Sequence, residues 1–160
     1  MKRTYNAILI LLSLFVAFTT VSCEKEDEKA AKELTTLKAF IAAEFPNATE
    51  VTEGVYLVKI KEGTGSSAGV GLSAIVHYTG WLMDGTQFDT SRDDSSPFSF
   101  TVGAGYVIPA WEYTVRRMRV GDRVLMYTTS ANAYGAKGAG DDIGPYATLK
   151  FEIELLGVSK

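Results

Sequence analysis

This chain of 160 residues is nearly without the two side chains that carry most metal binding and much catalysis: it has one cysteine and one histidine. With Cys23 alone, no internal disulfide and no cysteine-based zinc site can be built. With His77 alone, a histidine-rich metal site or a two-histidine zinc motif is excluded, and a catalytic triad has little support. His77 alternates with Val76 and Tyr78, the pattern of a hydrogen-bonded strand residue. Positive charge is also scarce. The formal charge is −3, and basic residues cluster only at the extreme N-terminus and at Arg116, Arg117 and Arg119, which argues against nucleic acid as a partner. The glycine-rich loops lack the Gly-Lys-Ser/Thr ending of a phosphate loop. Asp93-Asp94 belongs to no spaced set of oxygen ligands and reads as a turn surface. No metal and no cofactor is expected.

Long apolar runs are absent as well, with one partial exception. Lys2 and Arg3 precede a mostly apolar stretch from Ala7 to Phe18, which is too short to cross a bilayer comfortably. A positive start, a short apolar core and small residues before a break describe a secretory signal. Cys23 directly follows Thr20-Val21-Ser22, which resembles the lipobox of bacterial lipoproteins, with Thr20 in place of the usual leucine. That resemblance implies residues 1–22 as a lipoprotein signal peptide and Cys23 as the acylated, palmitate-bearing first residue. The alternative is a plain secreted protein with an idle thiol. The acidic run Glu24–Glu28 resembles the export tag of Bacteroidetes surface lipoproteins, and reads equally well as a solvated spacer.

What the chain does contain is ordinary globular material, 46% hydrophobic and 22% charged. Residues 23–53 are expected to form the acidic tether and an amphipathic helix. Over Lys29 to Phe45, Leu34, Leu37, Ile41 and Phe45 recur at helical spacing, and Pro46-Asn47 ends the pattern. From Gly54 the texture becomes β-branched and aromatic. Strands are expected at Gly54–Ile60, Leu72–Leu82, Phe98–Val102, Arg123–Thr129 and Ala147–Val158, with a hairpin turn at Asp84-Gly85 and a brief helix from the Val107–Trp111 region to Arg119. In the last strand Leu149, Phe151, Ile153 and Leu155 alternate with Lys150, Glu152 and Glu154, so one face is buried and the other wet. The fold class is therefore α+β: a curved antiparallel β-sheet wrapped around one short α-helix, preceded by an N-terminal helix, with residues 54–160 as the main domain.

Aromatic residues gather near the loops: Tyr78, Trp81, Phe88, Phe98, Phe100, Tyr106, Trp111, Tyr134, Tyr146 and Phe151. A pocket lined this way takes an apolar ligand with a few polar anchors. Within Tyr106-Val107-Ile108-Pro109-Ala110-Trp111, Pro109 suits the first position of a helix, and Trp111 would then sit in its first turn.

Val76-His77-Tyr78-Thr79-Gly80, Asp84-Gly85, Phe88-Asp89-Thr90-Ser91 and Pro97-Phe98 stand in order before Val107-Ile108, Trp111 and Met118. Val120-Gly121, Ala133-Tyr134-Gly135, Pro145, Ala147-Thr148-Leu149, Phe151 and Glu154-Leu155-Leu156 follow. This series, running from Gly54 to the C-terminus, resembles the FKBP family of peptidyl-prolyl cis–trans isomerases. The resemblance implies a twisted sheet around one short helix, with the pocket between them. It implies Trp111 as the floor under a proline ring. The Ile108 N–H and the Tyr134 hydroxyl become donors to bound carbonyls, and Tyr78 and Asp89 join them as reaction-supporting groups. Phe88, Phe98, Val107, Ile143 and Phe151 complete the substrate-binding wall. For Asp89, two roles stand open: an orienting charge that holds Tyr78 or polarises the bound imide, or a loop cap.

Departures from the family pattern are Ala110 before the tryptophan, Asp142 beside Ile143, Ala139, and Asp94. They bear on substrate preference and macrolide affinity more than on the basic activity. The implied partners are proline-containing polypeptide clients, macrolide inhibitors, and the membrane through a lipid anchor. The implied location is the cell envelope, at the outer membrane on its periplasmic or surface side. Three readings follow: an isomerase for envelope or secreted proteins, a non-catalytic proline-binding module with Asp142 on its rim, and a chaperone held as a homodimer by residues 29–45.

Overall fold

The computed structural model describes residues 24–93 and 96–160. The signal segment, Cys23 and Asp94 lie outside the described residues. The chain is already helical at Glu24, and α1 spans residues 24–44. The acidic run expected as a tether is thus already part of the helix. Its physical reason is that the Glu, Lys, Ala and Leu residues that fill the stretch are strong helix formers. Pro46 ends the helix, because the residue before a proline is pushed away from helical geometry.

The strands are β1 (Thr49–Thr52), β2 (Val55–Lys61), β3 (Ser73–Leu82), β4 (Gln87–Thr90), β5 (Phe98–Thr101), β6 (Arg123–Thr128) and β7 (Leu149–Ser159), with the short helix α2 (Pro109–Val115) between β5 and β6. They form one antiparallel sheet in the order β1-β2-β6-β7-β3-β4. β3 pairs along its length with β7, while its other edge is shared: Ser73 to Val76 pair with β5, and Thr79 to Trp81 with β4. β1 and β4 were not expected. Each is four residues long and without a buried residue; β1 shows no alternation, and β4, which does alternate, is too short to stand out.

The concave face holds the main core. Ala74, Val76, Phe100, Val124, Met126, Leu149, Phe151, Ile153 and Leu155 meet Ala110, Trp111 and Val115 of α2. The expected alternation of β7 is present, but its other face is less wet than expected. Glu152 and Glu154 both pair with Arg92, at 3.3 and 3.2 Å, and Arg123 also holds Glu152.

Strands β2 and β6 are apolar on both faces, which a core on one side does not explain. Their outward residues Tyr56 and Tyr127 are cross-strand neighbours and are covered by Leu37 and Ile41 of α1, with Phe40 and Phe45 packed around them. Phe40 and Phe45 both lie against the Tyr127 ring, at 5.5 and 5.4 Å. The apolar stripe of α1 is therefore spent on its own sheet. Among the described residues no helix is long and apolar enough to cross a membrane.

Candidate functional site

Between the sheet and α2 opens a cavity of about 510 Å³. Its centre is the Trp111 indole, only 4% exposed and ringed by four other aromatics. Tyr78, Phe151, Phe98 and Phe100 stand at centroid distances of 4.9, 5.6, 6.0 and 6.0 Å, all steeply inclined to it. Edge-to-face contacts of this kind suit the aromatic quadrupole and fix ring orientation. Phe88 stands edge-on to Phe151 at 5.6 Å. Room for these two rings comes from Gly80 on β3, where a Cβ would lie 2.7 Å from Phe88 and 2.9 Å from Phe151.

One side of the mouth is built by the start of α2. Ile108 occupies the N-cap position with extended geometry and Pro109 follows as the first helical residue, as expected from the sequence. The carbonyl of Ile108 accepts from Trp111 at 3.0 Å, whereas its N–H has no acceptor among the described residues. It is a half-buried backbone donor at the cavity edge, and such donors are normally paired. Ahead of it, Glu112 reaches back to accept hydrogen bonds from the Gly103 and Gly105 N–H groups, at 2.7 and 3.2 Å. This holds the turn that presents Tyr106 and Val107. Ala110 is fully buried in the core and is not part of the cavity wall.

The opposite side carries the polar groups. The Tyr78 hydroxyl donates to Asp89 Oδ2 at 2.6 Å. Burial, then this bond and the charge of Asp89, push the Tyr78 pKa well above its ordinary value. Tyr134 is raised too, by burial and then by the charge of Asp89. Both phenols therefore keep their protons throughout the neutral range and serve as donors. Of the two roles open for Asp89, the bond to Tyr78 matches the orienting one. His77 lies outside the cavity, with Nδ1 3.0 Å from the Ser91 hydroxyl, a strand residue as expected.

Nine of the ten pocket residues expected from the sequence line this one cavity: Tyr78, Phe88, Asp89, Phe98, Val107, Ile108, Trp111, Tyr134 and Phe151. Ile143 does not; it is 7% exposed and packed in the core, with its backbone bridged to Ala139. Asp142 is exposed and also absent from the wall. Tyr106, one of the aromatics gathered near the loops, also lines the cavity, and Gly105, Pro109 and Ala133 complete the lining without having been expected. Pro109 and Ala133 were legible only as a helix starter and a loop residue, and Glu112 gave only the weak signal of an acid in a first helical turn.

Similarities to known proteins bear on this site. The model of the family "FKBP-type peptidyl-prolyl cis-trans isomerase" matches residues 65–156. FK506-binding protein 1 of Dictyostelium discoideum is 46% identical over 103 residues, which are 64% of this chain and 96% of that protein. The FK506-binding protein of Neisseria meningitidis serogroup B is 44% identical over 105 residues, covering 66% and 96%. Peptidyl-prolyl cis-trans isomerase FKBP4 of Rattus norvegicus is 48% identical over 104 residues. Those are 64% of this chain but 23% of that protein, so the chain spans less than a quarter of the larger relative. A crystal structure of a peptidyl-prolyl cis-trans isomerase from Pseudomonas syringae pv. tomato superposes with a TM-score of 0.73 at 35% identity. It covers 83% of this chain and 96% of its own, so that likeness runs beyond the span of the family model.

Proposed function

The chain belongs to the family of FKBP-type peptidyl-prolyl cis–trans isomerases, and we propose that it accelerates rotation about Xaa–Pro bonds in proline-containing polypeptides. The observation that carries this reading is the Trp111-floored aromatic cavity with, at its edge, an Ile108 N–H that has no acceptor among the described residues.

Amide resonance sets a rotational barrier of roughly 18–20 kcal/mol, so uncatalysed isomerisation takes about tens to hundreds of seconds. In the twisted transition state that resonance is gone, and the carbonyl oxygen carries less negative charge. An apolar pocket disfavours the polar planar amide more than the twisted one, which lowers the barrier. The proline ring rests on the Trp111 indole between Tyr78, Phe98 and Phe151. The Ile108 N–H and the Tyr134 hydroxyl hold flanking carbonyls, and Asp89 fixes Tyr78. No proton is transferred and no covalent intermediate is formed. Each ~1.4 kcal/mol of preference for the twisted form is tenfold in rate.

A protease-coupled assay on a Xaa-Pro peptide tests the activity. The intact protein should accelerate the slow phase and Trp111→Ala should lose most of that effect. No acceleration by the intact protein at micromolar concentration would overturn the reading.

The same pocket is the proposed site for macrolide ligands. The lipobox-like Cys23 after a short apolar run supports anchoring to the cell envelope, at the outer membrane on its periplasmic or surface side. Fatty-acid labelling that survives Cys23→Ser would refute the anchor. A homodimer through residues 29–45 has less support, because Leu37 and Ile41 are already covered by Tyr56 and Tyr127 of the same chain.

A further inference from the structure

α1 does more than cover the back of the sheet. After β6 the chain makes a short 3-10 turn, Ser130–Asn132, and the loop that follows carries Tyr134 before it returns to β7 at Leu149. Glu33, near the middle of α1, bonds to both stems of that loop. One carboxylate oxygen accepts from the Ser130 N–H at 2.6 Å and from the Thr148 hydroxyl at 2.9 Å; the other accepts from the Ser130 hydroxyl at 2.5 Å. These partners lie 97 and 115 residues away in sequence. Ser130 itself is 3% exposed.

From Ser130 the hydrogen bonds continue to the pocket. Its carbonyl accepts from the Ala133 N–H and from the Gly135 N–H, both at 2.8 Å, and the Gly135 carbonyl accepts from Tyr146 at 3.0 Å. Tyr134 is thus bracketed on both sides by bonds to the residue that Glu33 holds. One helical turn before Glu33, the Lys29 ammonium sits 5.3 Å from the centre of the Tyr146 ring. Tyr146 has a φ of 56°, unusual for a residue with a side chain, so the closing end of the loop adopts a costly backbone shape beside α1.

We propose that Glu33 is a positioning residue for the pocket: by fixing Ser130 and Thr148 it sets where the Tyr134 hydroxyl meets a bound carbonyl. α1 is then part of the active-site frame. The proposal rests on the isomerase reading of the pocket, and its test separates the two.

In the full chain, Glu33→Ala, Glu33→Gln, Tyr134→Phe and the Glu33→Ala/Tyr134→Phe pair are compared by kcat and KM on a Xaa-Pro peptide. Amide hydrogen exchange is followed in parallel. Glu33→Ala should lower kcat/KM about fivefold, less than the roughly hundredfold that a full 1 Å misplacement can cost. Glu33→Gln keeps an acceptor for the Ser130 N–H and should restore at least about half the activity. In the Tyr134→Phe background the same Glu33→Ala change should have almost no further effect, because coupled residues do not add. Exchange at Ala133 and Gly135 should quicken about tenfold while residues 37–44 of α1 stay protected.

Unchanged kcat/KM in Glu33→Ala, or an equal loss in both Tyr134 backgrounds, would overturn the proposal. Unchanged exchange at Gly135 would also overturn it. If Glu33→Ala releases the whole helix, Glu33→Gln decides: at least about half the activity with tight exchange at Gly135 supports the proposal, and loosened exchange at Gly135 with unchanged kcat/KM on a docked helix overturns it. A wild-type chain without isomerase activity would refute the functional reading alone, since exchange at Gly135 still reports what Glu33 orders.

Discussion

Asp89 shows how one exposed side chain can matter to a buried site. Its carboxylate has no burial to defend, yet it fixes the Tyr78 hydroxyl at 2.6 Å and its field reaches Tyr134. Asp89→Ala should therefore cost little stability, about 1 kcal/mol at most for one exposed hydrogen bond, but should lower kcat/KM about three- to tenfold. Tyr78→Phe, which keeps the ring against Trp111, should lose less, because the effect of Asp89 on Tyr134 remains. Chemical denaturation and steady-state kinetics of the two variants check this; an equal loss in Tyr78→Phe would mean that Asp89 acts only by holding that hydroxyl. At this scale the sequence was most legible where chemistry is unusual. An aromatic next to a glycine-rich turn, a lone acid and a tryptophan after a helix-starting proline all carry a signal. Ile143 was misplaced because an aliphatic in a loop reads the same whether it faces a ligand or the core. Gly105 has no side chain and Ala133 only a methyl group, so neither carries a signal in the sequence. Glu33 was invisible in its role, since its partners are distant in the chain.

Elements fail and hold together through a few buried polar anchors, and Asp122 is the clearest. At the turn into β6 it is 1% exposed, accepting from the Gly63 and Arg119 N–H groups at 2.8 and 2.7 Å and from Lys59 at 3.0 Å. Burial raises its pKa, but the bonds from Gly63, Arg119 and Lys59 outweigh burial and the net shift is downward. A carboxylate with a folded pKa below its unfolded value of about 3.9 contributes stability above that pH and loses it as pH falls further. Acid unfolding of the intact protein should therefore carry an Asp122 component below about pH 4. Asp122→Ala should be destabilised by roughly 2–4 kcal/mol at neutral pH, since the buried Gly63 N–H and the part-buried Arg119 N–H lose their acceptor, and the difference from wild type should shrink on acidification. Urea titrations across pH check both; a difference that stays constant down to pH 2 would refute the assignment. The long alternating strands, β3 and β7, were legible because period-two patterning states which face is buried. β1 and β4 were not, being short and set by their partners. α1 extends ahead of the expected Lys29, to at least Glu24, because its apolar stripe begins only at Leu34 and gives no signal before it.

At the scale of the molecule, two layers lie on opposite faces of one sheet. The concave layer is α2 with the pocket; the convex layer is α1, whose Leu37 and Ile41 bury Tyr56 and Tyr127 while Glu33 ties it to the pocket loop. Both layers rest on β6, so packing on one face limits movement on the other. The overall α+β architecture was legible from strand count and the single short helix, but the double-sided use of β2 and β6 was not, because residues apolar on both faces also describe an ordinary central strand. The central claim is that this frame turns over Xaa–Pro bonds rather than merely holding them. The most direct measurement is two-dimensional NMR exchange on a Xaa-Pro peptide that populates both isomers, with substoichiometric full-length protein. Cis–trans exchange cross-peaks are expected within a mixing time of less than about a second, against tens of seconds for the free peptide, and should be lost with Trp111→Ala. Peptide-induced shifts of the Trp111 indole resonance with no exchange cross-peaks would contradict it, leaving a pocket that binds proline without isomerising it.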